Sequence, residues 1–207
     1  MTVDPTRIDI PVYDGIDELD AVGPLEVLRS AVAAGADLDI RLVTRLPARQ
    51  VTGTFGLRLE PDGVFEPGAA GVVIVPGGGW ATKADRGTWG EVRRGDLLPL
   101  LAACAEAGAL MASVCTGAML LAHAGVIGER PATTHHAARE DLFATGARVL
   151  DERVVDDGDL VTAAGVTSGI DLALHLVERI VGPAAADAAA RRMEHTRVPA
   201  YMADGIS

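Results

Sequence analysis

One of the two cysteines, Cys115, stands where a thiol can act as a nucleophile. An apolar run, "ALMASV", leads directly into it, and Thr116 and Gly117 begin a helical pattern immediately afterwards. A strand, a sharp turn and a helix in this order hold a side chain at the carboxyl end of a sheet, as in nucleophile elbows. A helix N-terminus also favours thiolate over thiol. The alternative is an inert cysteine packed like a small hydrophobic residue, which fits Cys104, among alanines in mid-helix, much better.

A glycine-rich turn ends another apolar run, "GVVIVPGGG". Consecutive glycines allow backbone N–H groups to point into a cleft, so Gly77 and Gly78 are candidates for an oxyanion hole that serves an adduct on Cys115. A phosphate-binding loop is excluded, because no Lys-Ser/Thr follows and no G-x-G-x-x-G pattern occurs there. Glycine turns are common, so an ordinary turn is the alternative interpretation of this run.

Asp20 lies in an apolar stretch, "LDAV", which predicts partial burial. A carboxyl group in such a place tends to remain protonated and can act as a proton donor. The alternative is a helix N-cap, the usual role of an acidic residue just before a helix. The neighbouring Asp17 and Glu18 are expected to be no more than surface charges.

His135 and His136 follow a short strand pattern, "PATT". Adjacent residues on a strand point to opposite faces, so at most one of the two can face a site. A surface or capping role is the alternative for either histidine. No further ligands occur at a suitable spacing, so we expect no metal site and no cofactor.

The elements that position these residues follow an alternation of aliphatic runs and helix-length amphipathic segments, which is the pattern of repeated βαβ units. Apolar residues make up 49% of the 207 residues and aromatic residues only 3%, which suits helices packed on a parallel sheet. The sequence predicts an α/β fold, with a mostly parallel sheet sandwiched by helices, in a single domain over residues 1–207. We expect the first helix to begin at Gly23-Pro24, short edge segments within "VTGTFGLRLEPD", and a late hairpin that turns at Asp157-Gly158.

Charge and cysteine content limit the partners and the compartment. With 18 basic and 29 acidic residues the net charge is −11, and such an acidic surface makes nucleic acid and membranes poor partners. Residues 107–128 lack Lys, Arg, Asp and Glu and are long enough for a membrane span. A buried strand, a sharp turn and a buried helix explain them better. Met1–Pro11 lacks the pattern of a secretory signal, and two cysteines form no disulfide framework, so we expect a cytoplasmic protein with reduced thiols.

These segments, in this order, resemble those of the ThiJ/PfpI superfamily, and the resemblance covers nearly the whole chain. Within the superfamily the chain is similar to the isonitrile hydratases. "ELDAVGPLEVL" resembles their Leu-Asp-x-x-Gly-Pro segment, "VIVPGGG" their Pro-Gly-Gly turn, and "ASVCTGAMLLAHAG" their nucleophile segment. "VVDDGDLVTAAGVTSGIDLAL" is similar to their late hairpin and helix. The resemblance implies a flavodoxin-like, glutamine-amidotransferase-like fold with a nucleophile elbow.

The resemblance also implies two groups of site residues. The catalytic residues would be Cys115, Asp20 and Thr116. The substrate-binding residues would be Gly77, Gly78, Trp80 and His135, with the two glycines opposite the thiol and Trp80 near the mouth of the pocket. The protease branch of the superfamily has His directly after the nucleophile, whereas Thr116 stands here, which argues against peptidase activity.

The function that the resemblance implies is hydration of an isonitrile to an N-substituted formamide, through a thioimidate on Cys115. The substrate would be a small molecule, and the family likeness and the weak edge segments around Val51–Leu59 indicate a homodimer. One alternative is a glyoxalase-like or other thiol enzyme on the same fold, although relatives of that kind generally have Glu where Asp20 stands. Another is a non-enzymatic redox or ligand sensor in which the cysteine is oxidised reversibly.

Overall fold

A computed structural model describes residues 5–203, whereas the ends of the predicted domain, residues 1–4 and 204–207, lie outside the described residues. The strands, in chain order, are β1 (Thr6–Pro11), β2 (Leu38–Thr44), β3 (Val51–Thr52), β4 (Arg58–Leu59), β5 (Gly63–Val64), β6 (Val72–Val75), β7 (Leu110–Val114), β8 (Pro131–Ala132), β9 (Arg148–Val149), β10 (Val154–Asp156), β11 (Leu160–Ala163) and β12 (Tyr201–Met202). The α-helices are α1 (Glu18–Ala33), α2 (Thr88–Arg94), α3 (Leu98–Glu106), α4 (Gly117–His123), α5 (Arg139–Ala144), α6 (Ser168–Ile180) and α7 (Pro183–Arg192).

Eight strands form one sheet in the order β12-β10-β11-β7-β6-β1-β2-β5. Neighbouring strands are parallel from β11 through to β5, and the edge pair β10 and β12 runs in the opposite direction. The central strands are aliphatic and buried, as in β6, where all four residues of "VVIV" are buried. Buried strands of this kind need helices on both faces of the sheet.

The helices pack in two groups, one containing α1, α6 and α7 and the other centred on α4 with α2, α3 and α5. The α/β prediction is therefore confirmed. The predicted hairpin is also present, since β10 and β11 pair antiparallel. The expected edge segments form a separate two-stranded sheet, in which Val51 pairs with Leu59.

The start of the first helix was predicted too late in the chain. Helix α1 begins at Glu18, and Asp17 is its N-cap, with the Asp17 side chain accepting a hydrogen bond from the N–H of Leu19 at 3.3 Å. Pro24 lies inside the helix, and a Cβ on Gly23 would lie 3.5 Å from Ile170 of α6, so the Gly-Pro pair marks a close helix contact. Asp20 is consequently a first-turn residue and has no capping role.

The segments that the sequence singled out meet at one edge of the sheet. Strands β11, β7, β6 and β1 are adjacent and parallel, so the segments that follow their carboxyl ends lie side by side. These segments carry Val166, Cys115, Gly77 and Asp20, in that strand order. The edge where parallel strands end is the usual place for a site in an open α/β sheet.

Candidate active site

Cys115 occupies a strained turn between β7 and α4. Its φ is +57°, a left-handed conformation that residues other than glycine rarely adopt. The turn is held from both sides, because the Cys115 N–H donates to the carbonyl of Ala164 at 2.8 Å and Thr134 Oγ1 donates to the Cys115 carbonyl at 2.8 Å. Gly117 is required next, since a Cβ there would lie 2.0 Å from the carbonyl oxygen of Val75. The structure therefore has the predicted strand–turn–helix geometry at Cys115.

Asp20 lies against the thiol and is fully buried. Its Oδ2 accepts the N–H of Gly77 at 2.9 Å, and Oδ1 has no nitrogen or oxygen partner within the described residues. Burial, aided by the charge of Asp17, raises the pKa of Asp20 from 3.8 to about 8, against the lowering effect of hydrogen bonds from Gly77 and the Cys115 thiol. Asp20 is therefore a carboxylic acid at neutral pH, with Oδ1 free to hold the proton.

The thiol of Cys115 does not have the depressed pKa expected from its place before a helix. Burial, together with the charge of Asp20, raises the pKa of Cys115 well above its usual value of 9.0. Hydrogen bonds from the N–H groups of Thr116 and Val166 oppose this shift but do not reverse it. Helix α4 has only seven residues, and its N-terminus cannot offset the loss of hydration. The resting pair at neutral pH is a thiol beside a carboxylic acid.

Thr116 positions the glycine turn. Its Oγ1 accepts the N–H of Gly78 at 2.9 Å and lies 3.3 Å from Thr88 Oγ1. The oxyanion hole expected of Gly77 and Gly78 is therefore not formed by these N–H groups, because Asp20 and Thr116 already accept them. The two glycines instead allow close approach, since a Cβ on Gly77 would lie 2.5 Å from the Thr116 backbone nitrogen.

His135 lies near the site but makes no hydrogen bond to Cys115 or Asp20. Its Nδ1 accepts the N–H of Ala137 at 3.2 Å, and a Cβ on Gly165 would lie 3.1 Å from the imidazole ring. Gly165 directly precedes Val166, whose N–H contacts the thiol. Burial lowers the pKa of His135, so the ring is neutral at pH 7.

Trp80 lines neither of the two cavities at Val166. Its Nε1 donates to Asp141 Oδ2 at 2.6 Å, and its ring packs edge-to-face on Trp89 with centroids 5.0 Å apart. It lines a different cavity with Met119 and His123. Gly79, with φ of +71°, turns the chain away before Trp80. The expected position of Trp80 at the mouth of the pocket is therefore corrected.

A cavity of about 560 Å³ lies near the site, with Val166 in its lining. Its lining comprises Asp17, Glu18, Leu19, Phe55, Leu57 and Val166. Neither Cys115 nor Asp20 lines this cavity, and its link to the pair is Val166, whose N–H contacts the thiol. Val166 also lines a second, polar cavity of about 450 Å³ that contains Arg139 and Arg153. The size of the first cavity suits a small organic molecule with an apolar substituent.

The site thus consists of a thiol and a neutral acid, with a largely apolar cavity nearby. Within the described range, no group of three or more His, Cys, Asp or Glu residues is arranged to hold a metal ion. Nor does any helix between residues 5 and 203 have the length and apolar character needed to cross a membrane. The arrangement can add a sulfur nucleophile to a small electrophile while a proton is delivered from Asp20.

The sequence model of the DJ-1/PfpI family matches residues 6–179. This chain belongs to the DJ-1/PfpI family. It is 32% identical to the isonitrile hydratase of Pseudomonas putida over 196 residues, which are 94% of this chain and 81% of that protein. It is 30% identical to the glutathione-independent glyoxalase DJR-1.2 of Caenorhabditis elegans over 133 residues, 62% of this chain and 66% of that protein. A crystal structure of a ThiJ/PfpI family protein from Pseudomonas syringae has a TM-score of 0.83 at 29% identity, covering 94% of this chain and 77% of that one.

Three further residues of this DJ-1/PfpI protein belong to the site and were missed from the sequence. Val166 contributes an N–H to the thiol, Thr134 holds the Cys115 carbonyl, and Glu18 lines the cavity. No composition or spacing marks a valine that acts through its backbone. Thr134 had a usable signal, because it directly precedes the histidine pair that the sequence placed near the site.

Proposed function

We propose that this protein is a cysteine-dependent hydratase that converts isonitriles into N-substituted formamides. The observation that carries the proposal is the Cys115–Asp20 pair, a buried thiol next to a fully buried carboxyl group whose pKa is raised by burial to about 8. An isonitrile carbon is only weakly electrophilic, so attack by sulfur needs a proton at the same time. The similarity to the Pseudomonas putida isonitrile hydratase supports the same reaction class.

The first step forms a thioimidate. Sulfur of Cys115 bonds to the terminal carbon of the isonitrile while Asp20 Oδ1–H protonates that carbon, and the thiol proton passes to the Asp20 carboxylate. The product is R–N=CH–S–Cys115, which contains every atom of the isonitrile, and Asp20 is left protonated. The N–H groups of Thr116 and Val166 stabilise the charge that develops on sulfur.

The second step releases the formamide. Water adds its oxygen to the thioimidate carbon as the Asp20 proton moves to nitrogen and a water proton replaces it on the carboxylate. Collapse of this adduct breaks the C–S bond, gives R–NH–CHO, and returns a proton to the Cys115 sulfur through Asp20. The covalent intermediate divides one difficult hydration into two easier additions.

A glyoxalase-like reaction is the second candidate, because the chain is also 30% identical to a glyoxalase over 62% of its length. Both candidates need the thiol, so removal of Cys115 does not separate them. One cavity at Val166 offers apolar Leu19, Phe55 and Leu57, which would suit an apolar substituent on an isonitrile. A second cavity at Val166 is polar and contains Arg139 and Arg153, so turnover, and not the lining, has to separate the two candidates.

A panel of alkyl and aryl isonitriles, glyoxals and small amides tests the proposal, with products resolved by chromatography. The wild-type protein should turn over isonitriles to formamides, Cys115→Ser should lose this activity, and Cys104→Ser should retain it. Cys104 is the matched control because it is also a buried cysteine, on α3 and outside the site. Turnover of glyoxals with no turnover of any isonitrile, at a demonstrably reduced Cys115, would refute the hydratase.

A further inference from the structure

The segment that brings Val166 to the thiol is held on both sides by one residue, Arg153. The N–H of Ala164 donates to the Arg153 carbonyl at 3.0 Å, which extends the ladder between β10 and β11 by one pair. On the other side of Val166, Arg153 Nη2 donates to Thr167 Oγ1 at 3.1 Å. Arg153 therefore fixes the chain on either side of the residue whose N–H contacts Cys115.

The guanidinium of Arg153 is itself held by a buried carboxylate of α6. Its Nε pairs with Asp171 Oδ2, and the Asp171 side chain is fully buried, whereas that of Arg153 is 35% exposed. Asp171 Oδ1 lies 2.8 Å from His195 Nε2, so both carboxylate oxygens have a partner. A planar guanidinium presents its N–H groups at fixed angles, so the bond from Nε to Asp171 also sets the direction in which Nη2 points to Thr167.

The hydroxyl of Thr167 does not cap the helix that it precedes. Thr167 occupies the N-cap position of α6, where a threonine commonly accepts an N–H of the first helical turn. Within the described chain its side chain makes no such bond, and Oγ1 accepts from Arg153 instead. A residue type that usually stabilises a helix end here connects the segment at the thiol to Arg153.

The thiol depends on this segment because its other surroundings disfavour the thiolate. Burial and nearby charges, that of Asp20 first, raise the pKa of Cys115, and the N–H groups of Thr116 and Val166 oppose them. Thr116 directly follows Cys115, so the turn between β7 and α4 fixes its N–H. Val166 lies between β11 and α6, outside any regular element, so its N–H is directed by the contacts that Arg153 makes.

We propose that Arg153 is a positioning residue for the nucleophile, which keeps the N–H of Val166 directed at the sulfur of Cys115. Arg153 acts through residues 164–167 and not on the substrate. A donated hydrogen bond stabilises a thiolate more than a thiol, because the acceptor is charged in the first and neutral in the second. Loosening the segment would therefore reduce the fraction of Cys115 present as thiolate. The inference rests on the proposed function only for the role of Cys115 as nucleophile.

Thr167→Val tests the proposal, because it removes the hydroxyl of an exposed residue and leaves the Arg153–Asp171 ion pair in place. The rate at which iodoacetamide alkylates Cys115 is followed by peptide mapping at one pH, below the thiol pKa, where it is proportional to the thiolate fraction. Alkylation of Thr167→Val should be slower than that of wild type by about three- to tenfold, from partial loss of one hydrogen bond to a charged acceptor. Thr167→Ser keeps the hydroxyl and should restore the wild-type rate. A bulkier iodoacetamide should give the same ratios, since the thiolate population changes and not the entry of the reagent.

Arg153→Lys is the second variant. Lysine keeps a charge for Asp171 but lacks the planar fork that also holds Thr167, so alkylation should slow as in Thr167→Val. Arg179→Lys is the matched control, because Arg179 also pairs with a fully buried aspartate, Asp156, but lies in the last turn of α6. Its alkylation rate should equal that of wild type.

A purely structural role for Arg153 predicts a change of the opposite sign, because local opening exposes the thiol and speeds alkylation. Unchanged or faster alkylation in either variant, or slow alkylation that Thr167→Ser does not restore, would overturn the positioning role. The hydratase reaction would still stand if wild type turns over isonitriles. Slower alkylation with rescue by Thr167→Ser, but no turnover of any isonitrile by wild type, would refute the proposed reaction and keep the role of Arg153.

Discussion

Replacing Asp20 with Asn separates the chemistry of this residue from its structural cost. Because the pKa of Asp20 is raised from 3.8 to about 8, the unfolded chain loses a proton between these pH values that the folded protein keeps. The free energy of unfolding therefore falls as pH rises through this window, by about 1.4 kcal/mol per unit. At pH 7 the wild-type protein has therefore lost about 4 kcal/mol of its free energy of unfolding. A neutral Asn at this position does not titrate, so the variant does not suffer this loss.

Burying the Asn amide costs about 1–3 kcal/mol and offsets part of this advantage. Asp20→Asn should therefore be more stable than wild type at pH 7 by about 1–3 kcal/mol. Its unfolding free energy should also depend less on pH between 5 and 8. Activity should nevertheless fall by about 10²–10⁴ because no acidic proton remains. Urea unfolding at several pH values and isonitrile turnover provide the two readouts.

Asp17→Asn is the matched control for this experiment. It keeps an acceptor at the N-cap of α1 but removes the charge that helps to raise the pKa of Asp20. It should retain most of the activity, with the decline at high pH shifted to lower pH. The reasoning fails if Asp20→Asn is fully active, or if its unfolding free energy has the same pH dependence as that of wild type.

Substitutions at two positions test the framework around the pair, and one further measurement tests the oligomeric state. Thr116→Val should cost about 1–3 kcal/mol of stability and reduce turnover, because the N–H of Gly78 loses its acceptor, whereas Thr116→Ser should restore both. Gly117→Ala should lower the melting temperature sharply or prevent folding, since its Cβ would lie 2.0 Å from the Val75 oxygen. Sedimentation at micromolar concentration should give twice the monomer mass, and a clean monomer would refute the proposed homodimer.

Much of the fold could be predicted because its signals are local. The aliphatic runs before Cys115 and Gly77 became buried parallel strands, and the Asp157-Gly158 turn became the hairpin between β10 and β11. The beginning of α1 could not be read correctly. The Gly23-Pro24 pair has the pattern of a helix start, but packing of α1 against α6 places it inside the helix.

The candidate site could be predicted where it depends on a residue type, and not where it depends on the direction in which the chain or a backbone N–H points. The structure brings the predicted pair Cys115 and Asp20 together. Trp80 was placed wrongly because one glycine turn redirects the chain, and the N–H groups of Gly77 and Gly78 were assigned to substrate although side chains accept them. The sign of the pKa shift at Cys115 was missed because burial depends on tertiary packing, which no local pattern reports.

The most direct test of the central claim is the mass of the protein during turnover. Stoichiometric isonitrile is mixed with reduced wild-type protein, quenched in acid within one turnover, and analysed as intact protein and as peptides. The thioimidate predicts a mass increase equal to the whole isonitrile, confined to the peptide that contains Cys115 and absent from Cys115→Ser. Formamide production without such an adduct, or at an undiminished rate in Cys115→Ser, would contradict the account.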